Sequence, residues 1–438
     1  MPDAPSTRPD HPEEALEAVE DALLEGDRTF TPGTARSAFS HRTFRIVYLG
    51  AFASNIGTWM QNVVLGALAY DLTGSGVFVG IVTAAQLGPL LLLSLVGGAM
   101  ADAYDRKTLL IALSIEQAVF SVLLALVVVG GDPNRVLLVL VVLAVGVGNA
   151  LYAPTFSAVV PILVPRRDLA GAISLNSAQM NASRVIGPII GSALFATVGS
   201  AWVFVLNAAS FAAVILSLTR VALPAPAASG TQGLHRLLEG IRYARSHRAV
   251  GQVIVTIFFF SLLALPFITQ MPKLADENLG IASRSTAYGL LYATFGLGAV
   301  TGALSVGTLF AARDKARLAR GGLVAFAVLL AVFSLLRVAP LAFPTIYAVG
   351  AVYFCVITSL STVLQQDLDD RVRGKVLALW IMGFGGVVPF GGLAGGWLAE
   401  QTSVTVMMLV GAAVALVLGA VMTLRPGPDE PPPEAALG

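Results

Sequence analysis

Apolar residues in this chain run together for twenty or more positions at a time, broken by short polar turns. A helix needs about 20 apolar residues to cross roughly 30 Å of hydrocarbon. Runs of that length fall at about 44–70, 77–101, 108–130, 136–160, 171–197, 201–220, 250–271, 284–310, 321–338, 341–366, 375–399 and 403–424. The pattern predicts an all-α integral membrane protein with twelve transmembrane helices. A polar stretch without a cleavable signal pattern precedes the first run, which is expected to serve as its own insertion signal.

Lys and Arg gather on the cytoplasmic side of membrane proteins. With both termini inside, all 27 of them fall on that side except Arg135, Lys273, Arg284 and Arg337, which fall outside, and Arg184, which falls within a helix. The expected setting is the inner or plasma membrane, crossed many times, with both termini cytoplasmic. Composition agrees, at 56% hydrophobic and 12% charged, against about 25% charged in soluble domains. A formal charge of +1 gives no field to recruit nucleic acid. The single cysteine, Cys355, cannot close an internal disulfide, and His11, His41, His235 and His247 all lie outside the apolar runs. No metal site or cofactor is expected; Cys355 reads as a small packing residue, and Trp202 and Trp397 as part of an interfacial aromatic belt.

Three segments lie outside the runs. Residues 1–41 form an acid-rich stretch that reads as a disordered cytoplasmic tail. In the linker 221–249, Leu234, Leu237, Leu238 and Ile241 stand at helical spacing with Arg236, Arg242 and Arg245 among the other positions. This predicts an amphipathic helix, either on the inner leaflet or capping the bundle ends. Residues 426–438 are too rich in Pro for a helix and are expected to be disordered. Between these segments stand two six-helix bundles, 42–220 and 250–425.

The two bundles repeat each other. GAMADAYDRK, Gly98 to Lys107, separates the second and third runs, and GTLFAARDKA, Gly307 to Ala316, separates the eighth and ninth. Gly98 matches Gly307, Asp105 matches Asp314, and Arg106 matches Lys315. In the fifth run Gly187, Pro188 and Gly191 correspond to Val388, Pro389 and Gly392 in the eleventh. Self-similarity at half the chain length marks parallel, pseudo-symmetric transporter halves.

In the first motif Gly98 permits close helix approach, and Asp102 can accept hydrogen bonds or pair with a cation on a neighbouring helix. Asp105, Arg106 and Lys107 complete a charged turn. In SRVIGPIIGSAL, Pro188 opens a kink, and Gly187 and Gly191 admit another helix at small-x-x-x-small spacing. These stretches resemble motifs A and C of the major facilitator superfamily. The resemblance implies that the 98–107 turn is a gate latch, its acid bound across the half interface when the protein faces outward. It also implies proton-exchanging export, with which motif C is associated. SNIGTWMQNVVLGALAYDLTGSG, Ser54 to Gly76, and SLNSAQMNASRVIGP in the fifth run resemble the branch that includes bacterial enterobactin exporters and macrolide efflux pumps, over about residues 42–425. The chain departs from that pattern at Ala103 and Asp105, where the family has a basic residue and Gly. The first helix carries Asn55 and Gln61 but no Asp, and the fourth lacks a mid-membrane Arg.

Proton coupling must then use other residues, and two ionisable groups lie deep within the runs rather than at their ends. Glu116 stands about eight residues into the third, roughly 12 Å deep, and Arg184 about 14 into the fifth, roughly 20 Å deep, at 1.5 Å per residue. Hydrocarbon penalises the charged form of an acid, so Glu116 is the candidate proton carrier. Arg184 either pairs with it or attracts an anionic group of the substrate. A static pair, or a Glu116 satisfied by Gln117 and water, is the structural alternative.

Polar faces mark a candidate cavity. Asn55, Thr58, Trp59 and Asn62 share one face of the first helix, and Thr358, Ser361, Thr362 and Gln365 share one face of the tenth. Asn149, Tyr152 and Phe156 lie along the fourth, and Thr256, Phe259 and Phe260 along the seventh. The resemblance implies that these four helices line the central path; interhelical hydrogen bonding is the competing use of the same groups. No GxxxxGK[ST], GxSxG, HExxH or CxxC occurs, so neither a P-loop pump nor an enzyme is expected.

The sequence therefore points to a secondary transporter, acting as a monomer in the lipid bilayer, that exports a small amphiphilic molecule such as a siderophore, antibiotic or drug in exchange for protons. The alternatives are an importer or facilitator of a metabolite or lipid on the same fold, and a non-transporting scaffold or sensor.

Overall fold

A computed structural model describes residues 31–223, 241–366, 368 and 370–422, and every regular element among them is helical. The long helices are α1 (Arg42–Thr73), α2 (Gly76–Ala103), α3 (Arg106–Val128), α4 (Arg135–Val159), α5 (Leu169–Thr197) and α6 (Ser200–Thr219). The second half repeats them as α7 (Arg248–Thr269), α8 (Thr286–Gly307), α9 (Lys315–Leu335), α10 (Ala339–Gln366), α11 and α12 (Val404–Val421). Helix α11 runs from Asp370–Ile381 through a π turn at Met382–Gly386 to Val388–Gln401. A short helix, Ala35–Ser40, precedes α1, and another, Met271–Leu279, follows α7. Most of the acidic tail, most of the linker with its amphipathic stretch, and the C-terminal segment lie outside the described residues.

Ten of the twelve are long and apolar enough to cross a membrane by length and composition. The other two, α1 and α5, are 32 and 29 residues long. They fall short in hydropathy rather than length, because α1 carries Asn55, Thr58, Gln61 and Asn62, and α5 carries Asn176, Gln179, Asn181 and Arg184. The first apolar run is thus less apolar than its length suggests. Outward-facing positions elsewhere are apolar, as Leu92, Leu126, Leu140, Val328 and Val417 show, which suits a lipid surround. Trp202 and Trp397 are both more than half exposed, at the same end of the bundle.

The pairing of helices repeats between halves. α2 packs on α4 as α8 packs on α10, and α3 packs on α6 as α9 packs on α12. The half-to-half seams repeat as well, with α5 against α8 and α11 against α2. Glycine sets the closeness of both: a Cβ at Gly289 would lie 2.6 Å from the Pro188 carbonyl oxygen, and one at Gly80 would lie 2.9 Å from that of Gly392. Motif C glycines serve a third contact, where a Cβ at Gly187 would meet Trp59 at 2.5 Å and one at Gly191 would meet the Met60 backbone at 2.9 Å.

The repeated turns fold alike. Asp105 caps α3 by accepting from the Thr108 N–H at 2.8 Å, as Asp314 caps α9 by accepting from the Ala316 N–H at 2.8 Å. Arg106 Nε donates to the Ala101 carbonyl at 3.1 Å, and Lys315 Nζ donates to the Phe310 carbonyl at 2.6 Å, so each cation closes the turn that precedes it. Lys107 Nζ reaches the Val221 carbonyl at 2.8 Å and ties the start of α3 to the end of α6.

At the same end of the bundle, residues 31–41 strap across the start of α5. Asp168, 2% exposed, accepts from the Gly33 N–H at 2.9 Å and lies 2.8 Å from His41 Nε2. Burial pushes its pKa up, but the hydrogen bonds from His41, Gly33 and Ser37 more than reverse this and hold it below the usual aspartate value.

Candidate functional site

Between the halves, near mid-height of the bundle, lies a cavity of about 130 Å³. The first half contributes Trp59 from α1 and Arg184 from α5; the second contributes Ile268, Tyr292, Phe295, Tyr353, Phe354 and Phe384, among others, from α7, α8, α10 and α11. The guanidinium carbon of Arg184 stands 5.3 Å from the Trp59 ring centroid and 5.2 Å from that of Phe354, so one cation touches a ring from each half. Tyr353 lies against Phe295 at 5.9 Å and edge-on to Phe354 at 4.8 Å, which fixes the aromatic wall.

A second, narrower space of about 10 Å³ lies within the first half, lined by Thr58, Asn62, Gln86, Gln117, Asn149 and Asn207 among others. Gln86 Nε2 donates to Asn62 Oδ1 at 2.6 Å, while Ser121 Oγ at 3.1 Å and Asn207 Nδ2 at 2.9 Å both donate to Gln61 Oε1. Every member of that second trio is buried. This network binds α1, α2, α3 and α6 together in a medium that rewards internal polar pairing.

The structure therefore divides the polar face of α1. Trp59 points to the inter-half cavity, Thr58 and Asn62 point to the narrow space with Asn149, and Asn55 is half-buried farther along the helix. Tyr152 stacks on Phe156 at 5.7 Å and joins a separate apolar cluster with Phe44 and Leu218. On α10, Thr362 donates to the Thr358 carbonyl at 2.8 Å and Gln365 bonds Ser361 Oγ at 2.9 Å, so that face satisfies itself along its own helix. Sequence reasoning missed the aromatic liners Tyr292, Tyr353, Phe354 and Phe384. The two tyrosines carried the available signal, being mid-span residues whose hydroxyls need partners.

Glu116 and Arg184 stand apart, and no ion pair joins them among the described residues. Glu116 is half-buried on α3 with its Oε2 atom buried and unpaired, against α4 where Gly148 leaves it room. Arg184 Nε is likewise buried without a hydrogen-bond partner.

The cavity is sealed toward one end. There Gln270, fully buried in the second half, donates to the Gly76 carbonyl of the first at 3.0 Å and to that of Gly392 at 3.2 Å. Glu400 accepts from the Ser75 hydroxyl and from the Val77 N–H, and Tyr70 donates to Asp276 at 3.2 Å. Arg284 Nε reaches the Phe195 carbonyl at 3.2 Å. The opposite, basic end carries the two repeated turns, and a Cβ at either Gly98 or Gly307 would meet no heavy atom within 4 Å. Asp102 lies there too, its side chain outside the described residues.

Residues 33–428 match the family model described as transmembrane secretion effector. The chain is 28% identical to an enterobactin exporter, EntS, of Citrobacter koseri over 419 residues, covering 90% of this chain and 95% of that protein. It is 28% identical to the EntS of Shigella boydii over 352 residues, covering 78% and 81%. Among solved structures it is similar to the nucleoside transporter NupG (TM-score 0.73, 14% identity, 87% of this chain and 99% of that one). It is also similar to a bacterial homologue of the iron transporter ferroportin in an inward-facing state (TM-score 0.67, 16% identity, 87% and 98%). At those identities the likeness to solved structures is one of fold.

Proposed function

The chain belongs to the transmembrane secretion effector family of the major facilitator superfamily, a family of membrane transporters, and on that premise we propose that it exports a small amphiphilic molecule in exchange for protons. The observation that carries this reading is a cavity built by both halves, with polar bonds joining the halves at one end of it among the described residues. Two pseudo-symmetric bundles with a site between them and a seal at one end are one half of an alternating-access cycle. Lys and Arg concentrate at the end away from those bonds, which the charge rule places in the cytoplasm. In this reading the protein sits in the inner membrane with both termini inside, and the cavity awaits a cytoplasmic substrate. A single chain supplies both halves, so the monomer is the working unit, and no covalent step is required.

Glu116 is the proton carrier in this scheme. Its Oε2 atom has no partner, and the glycine opposite leaves it free to gain and lose a proton without breaking a bond. The turn from Gly98 to Lys107 is the latch of the opposite state. The 28% identity to enterobactin exporters along most of the chain supports a siderophore, antibiotic or drug as the substrate class. Expression in cells lacking their own efflux pumps tests the proposal through accumulation of siderophores, macrolides and dyes with and without a protonophore. Lowered accumulation that returns to control when the proton gradient collapses is the expected result. Accumulation that is lowered equally with the protonophore present would end the antiport reading.

A further inference from the structure

Among the described residues the inter-half cavity has one charged liner, Arg184, and no carboxylate. A guanidinium stays charged at any physiological pH and carries five N–H donors. Burying it without a counter-ion is costly, and here Nε is buried with no partner. The rings of Trp59 and Phe354 offset part of that cost through their faces, but neither ring supplies a lone pair for the donors. What the lining lacks is an anion.

The rest of the wall says what kind of anion fits. Tyr292, Phe295, Tyr353, Phe354 and Phe384 surround the space with aromatic surface, which holds a flat ring by stacking or edge contact. A volume of about 130 Å³ compares with the roughly 150 Å³ engineered cavity that takes up benzene. The space accommodates one six-membered ring, with the guanidinium at its side. Because Arg184 and Trp59 belong to one half and the remaining aromatics to the other, a ligand seated there touches both moving parts.

We propose that Arg184 anchors the negatively charged group of the substrate, and that the protein selects molecules bearing an anion on or beside a single aromatic ring over cations and neutral molecules of the same shape. This rests on the reading of the inter-half cavity as the transport site. It gives the unpaired guanidinium a partner that enters and leaves with each cycle.

The test uses the full chain in detergent and three probes with one ring and three charges: 4-nitrobenzoate, 4-nitrobenzyl alcohol and 4-nitrobenzylammonium, measured by equilibrium dialysis. The carboxylate is expected to bind at least tenfold more tightly than the other two. Arg184→Gln should erase that preference, and Phe354→Ala, which leaves the charge in place, should weaken the carboxylate several-fold. Equal binding of the three probes to the unaltered protein overturns the proposal whether or not the variants fold, as does an Arg184→Gln protein that keeps the preference. The same probes in the efflux assay separate this idea from the exporter reading. Carboxylate binding without efflux would remove the export direction and leave the anion site standing. Efflux of the ammonium probe with no carboxylate binding would do the reverse.

Discussion

Glu116 depends on the absence of one methyl group across from it. A Cβ at position 148 would overlap Glu116 Oε2, so Gly148→Ala must drive the carboxyl from its place. Efflux should fall on the order of a hundredfold, the lower end of the effect general acid–base groups carry, and Glu116→Gln should match it while leaving substrate binding intact. Dialysis alongside efflux checks both; a Glu116→Gln protein with undiminished proton-driven efflux would remove the coupling role. Asp168 offers a residue outside the membrane. Its folded pKa is lowered, so its contribution is complete above the unfolded value of about 3.9 and fades as pH falls through the folded one. At pH 7, Asp168→Asn is therefore expected to loosen the 31–41 strap by about 1–3 kcal/mol, seen as faster limited proteolysis there. The difference from the unaltered protein should persist down to pH 5 and shrink below about pH 4.

Among the elements, the helices themselves were legible because twenty-residue apolar runs admit no other structure in lipid. The repeat of charged turns, too, could be read from Asp105 and Asp314, since an N-cap acid performs the same task wherever it stands. What spacing could not supply was the neighbour each face meets. Thr58 and Trp59 are adjacent on α1, yet one faces a narrow space inside its own half and the other faces the cavity between halves. Likewise Phe354 reads as an ordinary apolar position until α8 and α11 are placed beside the cavity it lines. The seams yield a prediction of their own. Gly80→Leu would force a side chain into the Gly392 backbone, a clash worth about 1–3 kcal/mol against this state. Spin labels at the exposed positions Asp71 and Gln401 should then report a longer distance, as the sealed end opens.

For the molecule as a whole, the proposed orientation rests on the asymmetry of basic residues. In a Cys355→Ala background, Asp132→Cys should react with a membrane-impermeant maleimide in intact cells, and Arg166→Cys should react only after permeabilisation. Both positions are exposed, so reversed labelling would invert the topology and with it the side to which the cavity opens. The two halves meet through backbone and glycine at both seams, whereas the polar seal is gathered at one end. Rocking then requires few side chains to change rotamer along the seams, and the hydrogen bonds at Gln270 and Glu400 are the ones broken first.

The polarity of α1 has a consequence for how the protein is made. Its principal packing partners are α5 and α6, and α6 ends at Thr219, so at synthesis rates of about 5–20 residues per second the helix waits roughly 7 to 30 seconds for its neighbours. During that wait Gln61 has no Asn207 of α6 to bond. Nascent chains arrested once α1 alone has left the ribosome should be extracted by alkaline carbonate, and those arrested after α6 should resist it. Membrane insertase and chaperone demand would peak in that interval, and a Gln61→Leu chain, more greasy and less dependent on company, should integrate earlier even as its finished polar network is impaired.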